Sequence, residues 1–293
     1  MAGDAHTTSI KIAAGRTASP RIGAGFRVGV FPAAVVGAAL DEALSVGRIY
    51  AIGGVQGSGK STLAAQMAAL GAQRGLRVAT LSLDDTYLSL RERRRLGREV
   101  HPLLATRGPP GTHDLALACE TLDALREGRA VRLPRFDKLR DRRVPPSRWP
   151  LARDIDLTVF EGWCLKVPAQ TATALRRPVN ALERDEDPDG VWRRFCNDAL
   201  GRDYPALWAR LPHLLWLQAP SFDPVVDWRW RQERKARGLD AASDAAPRRT
   251  RADIQRFVQH FERVSRHALR VMPATAERCL RLDARHRVRD ASS

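Results

Sequence analysis

The residues of this chain that are best suited to chemistry stand in one glycine-rich stretch, GVQGSGKS at positions 54–61. The stretch matches the pattern G-x-x-x-x-G-K-[ST] at every fixed position, and in such loops backbone N–H groups surround phosphate oxygens. Lys60 would reach the β- and γ-phosphates, and Ser61 would place its hydroxyl on Mg²⁺. A chance glycine-rich turn is the alternative, but a strand-like segment precedes the stretch and a helix-like segment follows it. The residues expected to hold the nucleotide are Gly54, Gln56, Gly57, Ser58, Gly59, Lys60, Ser61 and Thr62.

Three carboxylates form a second candidate group, because each directly follows an apolar segment typical of a buried strand. They are Asp84, Asp85 and Glu161. In parallel sheets, ligands bind at the carboxyl ends of the strands, so these side chains should lie near the phosphate site. A carboxylate there can hold Mg²⁺ or accept the proton of an attacking hydroxyl. Capping of a following helix is the alternative for each of them.

Segments typical of strands alternate along the chain with segments typical of helices. The strands are expected at 48–52, 77–83, 130–134, 155–160, 213–218 and 278–282. The helices are expected at 31–45, 62–70, 114–127, 190–200, 222–237 and 251–271. The arginine-rich segment 91–99 receives no element. The alternation predicts an α/β fold with a mostly parallel sheet and helices on both faces, which is a three-layer α/β/α sandwich.

Length and composition indicate a substantial hydrophobic core, since the chain has 293 residues of which 44% are hydrophobic. We expect an N-terminal tail and leading helix at 1–45 and the nucleotide-binding domain at 46–293. Within these, 1–25 should form a loose tail and 241–249 a mobile loop. The four cysteines lie far apart in the sequence, and no segment is typical of a signal peptide or a membrane span. These features predict a cytoplasmic protein that binds no membrane.

The charge is strongly positive, with 49 Lys plus Arg against 33 Asp plus Glu and a net charge of +16. A basic surface can attract nucleic acid. However, the arginines are scattered and no nucleic-acid-binding module accompanies them, so a basic site for a small anion is the milder interpretation. The guanine-reading sequence Asn-Lys-x-Asp of GTPases is absent, and motor-type ATPases are usually longer. A small-molecule kinase is the remaining common class, and its oligomeric state is left open.

Five further blocks carry a resemblance to a known family. They are LSLDDTYL at 81–88, RGPPGTHD at 107–114, LPRFDK at 133–138, FEGW at 160–163 and APSF at 219–222. Together with the phosphate loop, and in this order, they resemble the D-glycerate 3-kinase family, within the uridine kinase, phosphoribulokinase and pantothenate kinase group of P-loop kinases. The resemblance spans about residues 48–290. Thr86 departs from the phenylalanine that is usual in the first block.

The resemblance implies a P-loop NTPase fold with a helical lid, the use of ATP and Mg²⁺, and a small-molecule hydroxyl acceptor. It implies Lys60, Asp84 and Arg229 as catalytic residues, with Asp84 as the base. Ser61, Glu161 and Asp84 would serve the metal. The residues expected at the acceptor site are Asp85, Arg107, His113, Asp114, Arg135, Asp137 and Lys138. The implied acceptor is D-glycerate, which would give 3-phosphoglycerate.

Several alternatives stay open at this point. Arg107 and Arg135 can grip a carboxylate with two parallel hydrogen bonds, or they can form surface salt bridges. His113 beside Asp114 can orient a hydroxyl, or Asp114 can cap the helix that begins there. Another arginine of the helix predicted at 222–237 can take the role of Arg229. The segment 283–288 is expected near the nucleotide base. The acceptor can be another small alcohol, such as a nucleoside or a pantothenate-like molecule. A nucleic-acid-associated ATPase is the alternative from a different class.

Overall fold

The computed structural model describes residues 30–236 and 250–289, so the tail predicted at 1–25 and the loop predicted at 241–249 lie outside the described residues. The strands are β1 (Ile49–Gly54), β2 (Val78–Ser82), β3 (Val131–Arg132), β4 (Phe136–Asp137), β5 (Arg142–Arg143), β6 (Leu151–Ala152), β7 (Leu157–Gly162), β8 (Leu214–Gln218), β9 (Arg278–Leu282) and β10 (Val288–Arg289). The helices are α1 (Ala33–Val46), α2 (Lys60–Gln73), α3 (Leu90–Glu99), α4 (Leu115–Arg126), α5 (Ala181–Glu186), α6 (Val191–Arg202), α7 (Pro205–Trp208), α8 (Val225–Ala236) and α9 (Arg251–Thr275). Short 3₁₀ helices lie at Leu83–Thr86, Pro102–Ala105 and Pro146–Arg148.

A six-stranded sheet runs through the centre in the order β10-β9-β8-β1-β7-β2. The strands from β9 to β2 are parallel, and the edge strand β10 is antiparallel to its neighbour. Every residue of β1 is buried, which explains why its sequence is continuously apolar. Ile52 of β1 and Ser82 of β2 both pair with Glu161 of β7, so three strands end at the same edge. The predicted mostly parallel sheet is confirmed.

Successive side chains of β1 enter two different hydrophobic cores, because neighbouring residues of a strand face opposite sides of the sheet. Tyr50 and Ile52 pack in a cluster with residues of α1 and α2. Ile49 and Ala51 pack in a second cluster with residues of α4 and α9. Helices therefore cover both faces, and the predicted three-layer α/β/α sandwich is confirmed.

The arginine-rich segment 91–99 lies in helix α3, which the pattern of apolar residues does not indicate. The helix begins at a capping box: the Ser89 hydroxyl oxygen accepts from the Glu92 N–H at 3.3 Å, and Glu92 accepts from the Ser89 N–H at 2.8 Å. Ser-x-x-Glu is a known signal for the start of a helix and was readable in the sequence. Arg93 lies on the buried face of the helix, whereas the other arginines of the helix are exposed.

No helix within residues 30–236 and 250–289 combines the length and the apolar character that crossing a bilayer requires.

Candidate active site

The phosphate loop joins the end of β1 to the start of α2 and turns at glycines with positive φ. Gly57 has φ +77° and Gly59 has φ +98°, a region that glycine enters without the strain of a side chain. A Cβ atom on Gly57 would lie 2.7 Å from the Cβ of Trp228, so helix α8 approaches the loop too closely for a larger residue. Lys60 is buried, and its Nζ donates to the carbonyl oxygen of Val55 at 3.0 Å. The Lys60 ammonium thus lies inside the turn of the loop.

Ser61 and Glu161 meet beside this loop, because β7 is the neighbour of β1 in the sheet. The Ser61 hydroxyl donates to Oε1 of Glu161 at 2.8 Å. Burial lowers the pKa of Lys60, while the charges of Glu161 and Asp84 act in the opposite direction. A hydroxyl and a carboxylate fit Mg²⁺, which prefers oxygen ligands and in phosphate sites uses one or two carboxylates together with phosphate oxygens and water.

Asp84 lies in the 3₁₀ helix that follows β2, and its carboxylate has two side-chain partners. Its Oδ2 accepts from Lys138 Nζ at 2.5 Å, and the Tyr87 hydroxyl donates to the same carboxylate. Burial would raise the pKa of Asp84, but the charge and hydrogen bond of Lys138 and the hydrogen bond of Tyr87 outweigh burial and hold the pKa well below its usual range. Asp84 is therefore ionised, and its charge acts on Lys60.

Arg107 and Lys138 are joined to each other through the turn between β4 and β5. Arg107 Nη1 donates to Oδ1 of Asp141 at 2.7 Å, and its Nη2 donates to the carbonyl oxygen of Lys138 at 3.1 Å. The buried Arg93 donates to the same Asp141 oxygen at 2.8 Å. Asp141 has φ +51° in this turn. The turn that carries Lys138 is thus fixed to Arg107 by a carboxylate shared between two arginines.

Helix α8 lies over the phosphate loop and places arginines beside it. Arg229 Nη1 donates to Oε1 of Gln232 at 2.6 Å, and its guanidinium lies 5.8 Å from the centre of the Phe257 ring. Desolvation lowers the pKa of Arg229, and the charge of Asp84 opposes this effect. Arg229 and Arg231 both face the space above the loop. The helix is in the position of the predicted lid.

The segment 283–288, predicted near the nucleotide base, contacts both the loop and α8. His286 Nε2 lies 2.7 Å from the carbonyl oxygen of Gly57, and the His286 ring packs on Trp228 with 4.2 Å between ring centres. Trp228 Nε1 donates to the carbonyl oxygen of Ala284 at 2.9 Å. The segment therefore connects the phosphate loop to the lid helix, and a contact with the base stays a prediction.

The groups around the loop line one cavity of about 750 Å³, a volume typical of ligand sites. The predicted site residues in its wall are Gln56, Gly57, Gly59, Lys60, Ser61, Thr62, Asp84, Arg107, Lys138, Glu161 and Arg229. Gly54 and Ser58 are in the loop but not in the wall, and Ser58 is fully buried. The cavity thus brings together six of the eight predicted nucleotide residues, the three predicted metal residues and two of the seven residues predicted for the acceptor.

Asp85 and Arg135, both predicted at the acceptor site, lie outside this wall and bind each other at 3.4 Å. Asp85 also accepts from the N–H groups of Ser82 and Phe136, at 3.3 and 3.2 Å. Arg135 also donates to the carbonyl oxygen of Thr80 at 3.2 Å. Burial raises the pKa of Asp85, and the charge of Arg135 opposes this shift. The pair ties β2 to β4, in agreement with the capping and salt-bridge alternatives.

The other three predicted acceptor residues are also outside the cavity wall. Asp114 caps α4, where it accepts from the Leu117 N–H at 3.1 Å. Asp137 accepts from the Leu139 N–H at 3.1 Å in the turn that leads to Asp141. His113 is buried, with 5% of its surface exposed. Asp114 and Asp137 thus shape the segments around the cavity rather than line it.

Five Tyr, Trp or Phe residues line the cavity although the sequence did not predict them there: Tyr87, Trp163, Trp228, Phe257 and Phe261. The sequence did contain a signal for Tyr87, since it stands three residues after Asp84 in the block LSLDDTYL at 81–88. Trp163 is buried in a hydrophobic core cluster as well as lining the cavity. Phe257 and Phe261 lie four residues apart on α9, a spacing typical of ordinary core packing. Their place in the cavity depends on how α9 packs, which local sequence does not show.

Three features together define a P-loop kinase. They are a phosphate loop between the central strand and a helix, a carboxylate at the end of the neighbouring strand, and a lid helix that carries arginines. Many functions share this fold, so the family must come from comparison with known proteins. The chain belongs to the phosphoribulokinase/uridine kinase family, whose model matches residues 49–169.

Individual relatives agree with this assignment. The chain is 30% identical over 226 residues to an uncharacterized kinase of Schizosaccharomyces pombe, mug58, with 73% of this chain and 78% of that protein covered. It is 30% identical over 192 residues to the chloroplastic D-glycerate 3-kinase of Arabidopsis thaliana, with 60% of this chain and 38% of that protein covered. The structure of a D-glycerate 3-kinase from Cryptococcus neoformans matches with a TM-score of 0.69 and 22% identity, covering 89% of this chain and 97% of that chain, which shows the shared fold. The resemblance read from the motif blocks is confirmed.

Proposed function

We propose that the protein is an ATP-dependent kinase that phosphorylates a hydroxyl of a small hydroxy acid, with D-glycerate as acceptor and 3-phosphoglycerate as product. The observation that carries the proposal is that Asp84, Arg107 and Lys138 share one cavity with the phosphate loop. A carboxylate can serve the acceptor hydroxyl, and the two cations can serve an acceptor carboxylate. A neutral alcohol would leave the two cations without a ligand partner. The names of the Arabidopsis and Cryptococcus relatives support the same acceptor.

In the proposed reaction, the acceptor hydroxyl hydrogen-bonds to Asp84. The hydroxyl oxygen forms a bond to the γ-phosphorus while Asp84 takes the hydroxyl proton, and the bond from the γ-phosphorus to the bridging oxygen of ADP breaks. Lys60 and Arg229 stabilise negative charge on the transferred group. Lys138 has to give up its hydrogen bond to Asp84, because that bond occupies Oδ2. The acceptor carboxylate offers Lys138 a new partner.

Ser61 and Glu161 would hold Mg²⁺, since their oxygens already meet at 2.8 Å beside the loop. When bound, the ion neutralises charge on the β- and γ-phosphates. Asp84 as a further ligand is part of the same proposal. Closure of α8 over bound substrates would keep water away from the γ-phosphate, so little ATP hydrolysis is expected without an acceptor.

The test is ADP release from the purified protein with Mg·ATP and D-glycerate, L-glycerate, uridine, pantothenate, ribulose 5-phosphate or no acceptor. Release that requires D-glycerate, with 3-phosphoglycerate as product, would support the proposal. Equal release with every acceptor and with none would contradict it. If RNA or DNA stimulated that release and added salt abolished the stimulation, a nucleic-acid-associated ATPase would replace the kinase proposal.

A larger alcohol, such as a nucleoside, is the second candidate acceptor. It is favoured by the aromatic part of the cavity wall, where the Trp163 and Phe261 rings lie 5.1 Å apart and the Phe257 and Phe261 rings 5.0 Å apart. Aromatic faces suit an apolar or aromatic ring, which glycerate does not have. A higher kcat/KM for uridine than for D-glycerate in the same panel would favour this candidate.

A further inference from the structure

Tyr204 lies fully buried next to the start of α7, and its hydroxyl joins two residues of the segment 107–114. The hydroxyl oxygen accepts from the Gly111 N–H at 3.0 Å. The same oxygen lies 2.6 Å from Nδ1 of His113. Among the residues that the structure describes, this hydroxyl has no third hydrogen-bond partner. These two contacts determine where the ring proton of His113 sits.

The tyrosine hydroxyl has a single hydrogen and already accepts from the Gly111 N–H. The hydrogen can therefore be used only by donating to Nδ1 of His113, which makes Nδ1 the unprotonated ring nitrogen and Nε2 the N–H. If Nδ1 carried the ring hydrogen instead, the hydroxyl hydrogen of Tyr204 would be buried without a hydrogen-bond partner, which is unfavourable. Burial lowers the pKa of His113 to about 4, although the charge of Asp84 acts in the opposite direction, so the ring is neutral at neutral pH.

Nε2 of His113 is on the other side of the ring from Tyr204, and it is buried without a hydrogen-bond partner in the described residues. The ring packs against Tyr87 with 5.0 Å between ring centres. Tyr87 lines the cavity, and its hydroxyl donates to Asp84. The charge of Asp84 also acts on the His113 ring. His113 is outside the cavity wall and Nε2 is closed to solvent, so an acceptor oxygen can reach this donor only if the Tyr87 ring that packs on it moves when the acceptor binds. An unpaired buried donor is the kind of group that a ligand oxygen satisfies.

We propose that Tyr204 is a positioning residue for the acceptor: it holds His113 in the Nε2–H tautomer, so that one N–H donor is kept for an oxygen of the acceptor bound at Asp84. The role of this donor rests on the proposed function, whereas the tautomer does not. A site built to hydrogen-bond a substrate oxygen discriminates strongly against analogues that lack it. Tyr204, which is not part of the cavity wall, would thereby contribute to the choice of acceptor.

The tautomer is tested by ¹⁵N NMR of the histidine rings in the ligand-free protein, because protonated and unprotonated ring nitrogens differ widely in chemical shift. The His113 signals are those missing from the His113→Gln variant. We expect a neutral ring with its hydrogen on Nε2, and a partial shift to the Nδ1–H form in Tyr204→Phe. A Nδ1–H or doubly protonated ring in the unaltered protein at neutral pH, or an unchanged tautomer in Tyr204→Phe, would overturn the proposal. This result does not depend on knowing the acceptor.

The effect on the acceptor is tested by steady-state kinetics with D-glycerate. Tyr204→Phe should lower kcat/KM for the acceptor about tenfold and leave the KM for ATP nearly unchanged, as expected for one misplaced hydrogen bond. His113→Gln, whose amide nitrogen replaces Nε2, should retain more activity than His113→Asn, whose amide replaces Nδ1. The matched control is Tyr50→Phe, since Tyr50 is also fully buried and also packs on a histidine, His213, at 5.3 Å. Equal kinetics for Tyr204→Phe and Tyr50→Phe, or equal activity of the two His113 variants, would contradict a positioning role.

Discussion

Asp84 is the residue on which the proposed proton transfer depends, and Asp84→Asn separates that step from nucleotide binding. Asparagine keeps the size of the side chain but cannot accept the proton of the acceptor hydroxyl. We expect kcat to fall by about 10²- to 10⁴-fold, the usual contribution of a general base, with little change in ATP affinity. Single-turnover phosphoryl transfer and calorimetric ATP binding would measure the two effects separately.

Asp156→Asn is the control for that variant, because Asp156 lies at the opposite end of the sheet, where it accepts from the Arg77 N–H at 2.7 Å. Its replacement removes a carboxylate of the same kind without touching the cavity. Normal turnover by Asp84→Asn would show that another group accepts the proton.

Arg107 is the cation whose geometry suits an acceptor carboxylate, and its guanidinium is already oriented by Asp141 and by the Lys138 carbonyl. Arg107→Lys keeps the charge but loses the planar group that can donate two parallel hydrogen bonds. We expect the KM for an acidic acceptor to rise about tenfold or more while the KM for ATP is unchanged. The exposed Arg129, paired with Glu127, gives the control variant Arg129→Lys. Equal acceptor KM values for the two variants would exclude Arg107 from the acceptor site.

The cavity residues that could be predicted from the sequence are those whose positions depend on residues close to them in the chain. Lys60 and Ser61 are fixed by the glycine pattern, and Asp84 and Glu161 by the ends of their strands. Asp85 has the same chemical type as Asp84 but binds Arg135, 50 residues away, and the Phe136 N–H. Which of two adjacent aspartates faces the ligand depends on such distant partners, and local sequence does not contain them.

At the level of elements, the contact between the phosphate loop and helix α8 depends on the absence of a side chain at Gly57. Gly57→Ala would place a Cβ 2.7 Å from the Cβ of Trp228 and would also strain a residue with φ +77°. We expect the lid helix to move and ATP affinity to fall at least about tenfold, because Lys60 and the loop backbone share this turn. Isothermal calorimetry with ATP would measure the loss.

Gly75→Ala is a closely matched control, since Gly75 has the same φ of +77° but nothing within 4 Å of its added Cβ. Both variants carry the left-handed backbone strain of about 1–2 kcal/mol, which unfolding experiments would detect. If Gly57→Ala behaved like Gly75→Ala in ATP binding, the close packing of α8 on the loop would have no part in holding the nucleotide.

Helix α3 shows why some elements were not found from their apolar pattern. Its buried residue is Arg93, whose donors reach the carbonyl oxygens of Leu88 and Ala105 and the carboxylate of Asp141. A helix whose inner face is held by an arginine has no apolar stripe, although its capping box was visible. By contrast, the five parallel strands of the central sheet were found because parallel strands covered on both faces are largely apolar, whereas the two-residue strands β4, β5, β6 and β10 were not predicted.

For the whole molecule, the parallel sheet brings together residues that are far apart in the sequence. The cavity wall runs from Gln56 in the loop after β1 to His286 after β9, and it includes Lys138 from the turn between β4 and β5. Strand order places β1 between β7 and β8, so the loop, Glu161 and the C-terminal segment become neighbours. The alternation of strands and helices predicted the layers, but the distances between these groups depend on the completed sheet.

The stability of the whole molecule should depend on pH through histidines that are buried in the neutral form. Burial lowers the pKa of His260 to about 4, and its ring packs against Trp192 at 5.8 Å. In the unfolded chain the pKa of histidine is about 6.5, so between these values the unfolded state binds more protons. Stability should therefore be complete above about pH 6.5 and decrease as the pH falls toward 4. For His260 alone, the loss between pH 7.5 and pH 5 is about 2 kcal/mol.

Urea unfolding of the unaltered protein and of His260→Gln at pH 7.5, 6.5 and 5 measures this contribution. Glutamine does not titrate, so the variant should lose about 2 kcal/mol less stability over this range than the unaltered protein, whatever its stability at pH 7.5. His113, also buried with a pKa lowered to about 4, should leave a similar pH dependence in the His260→Gln variant. Parallel pH curves for the two proteins would mean that His260 titrates alike in the folded and unfolded states, which would contradict its burial as a neutral ring.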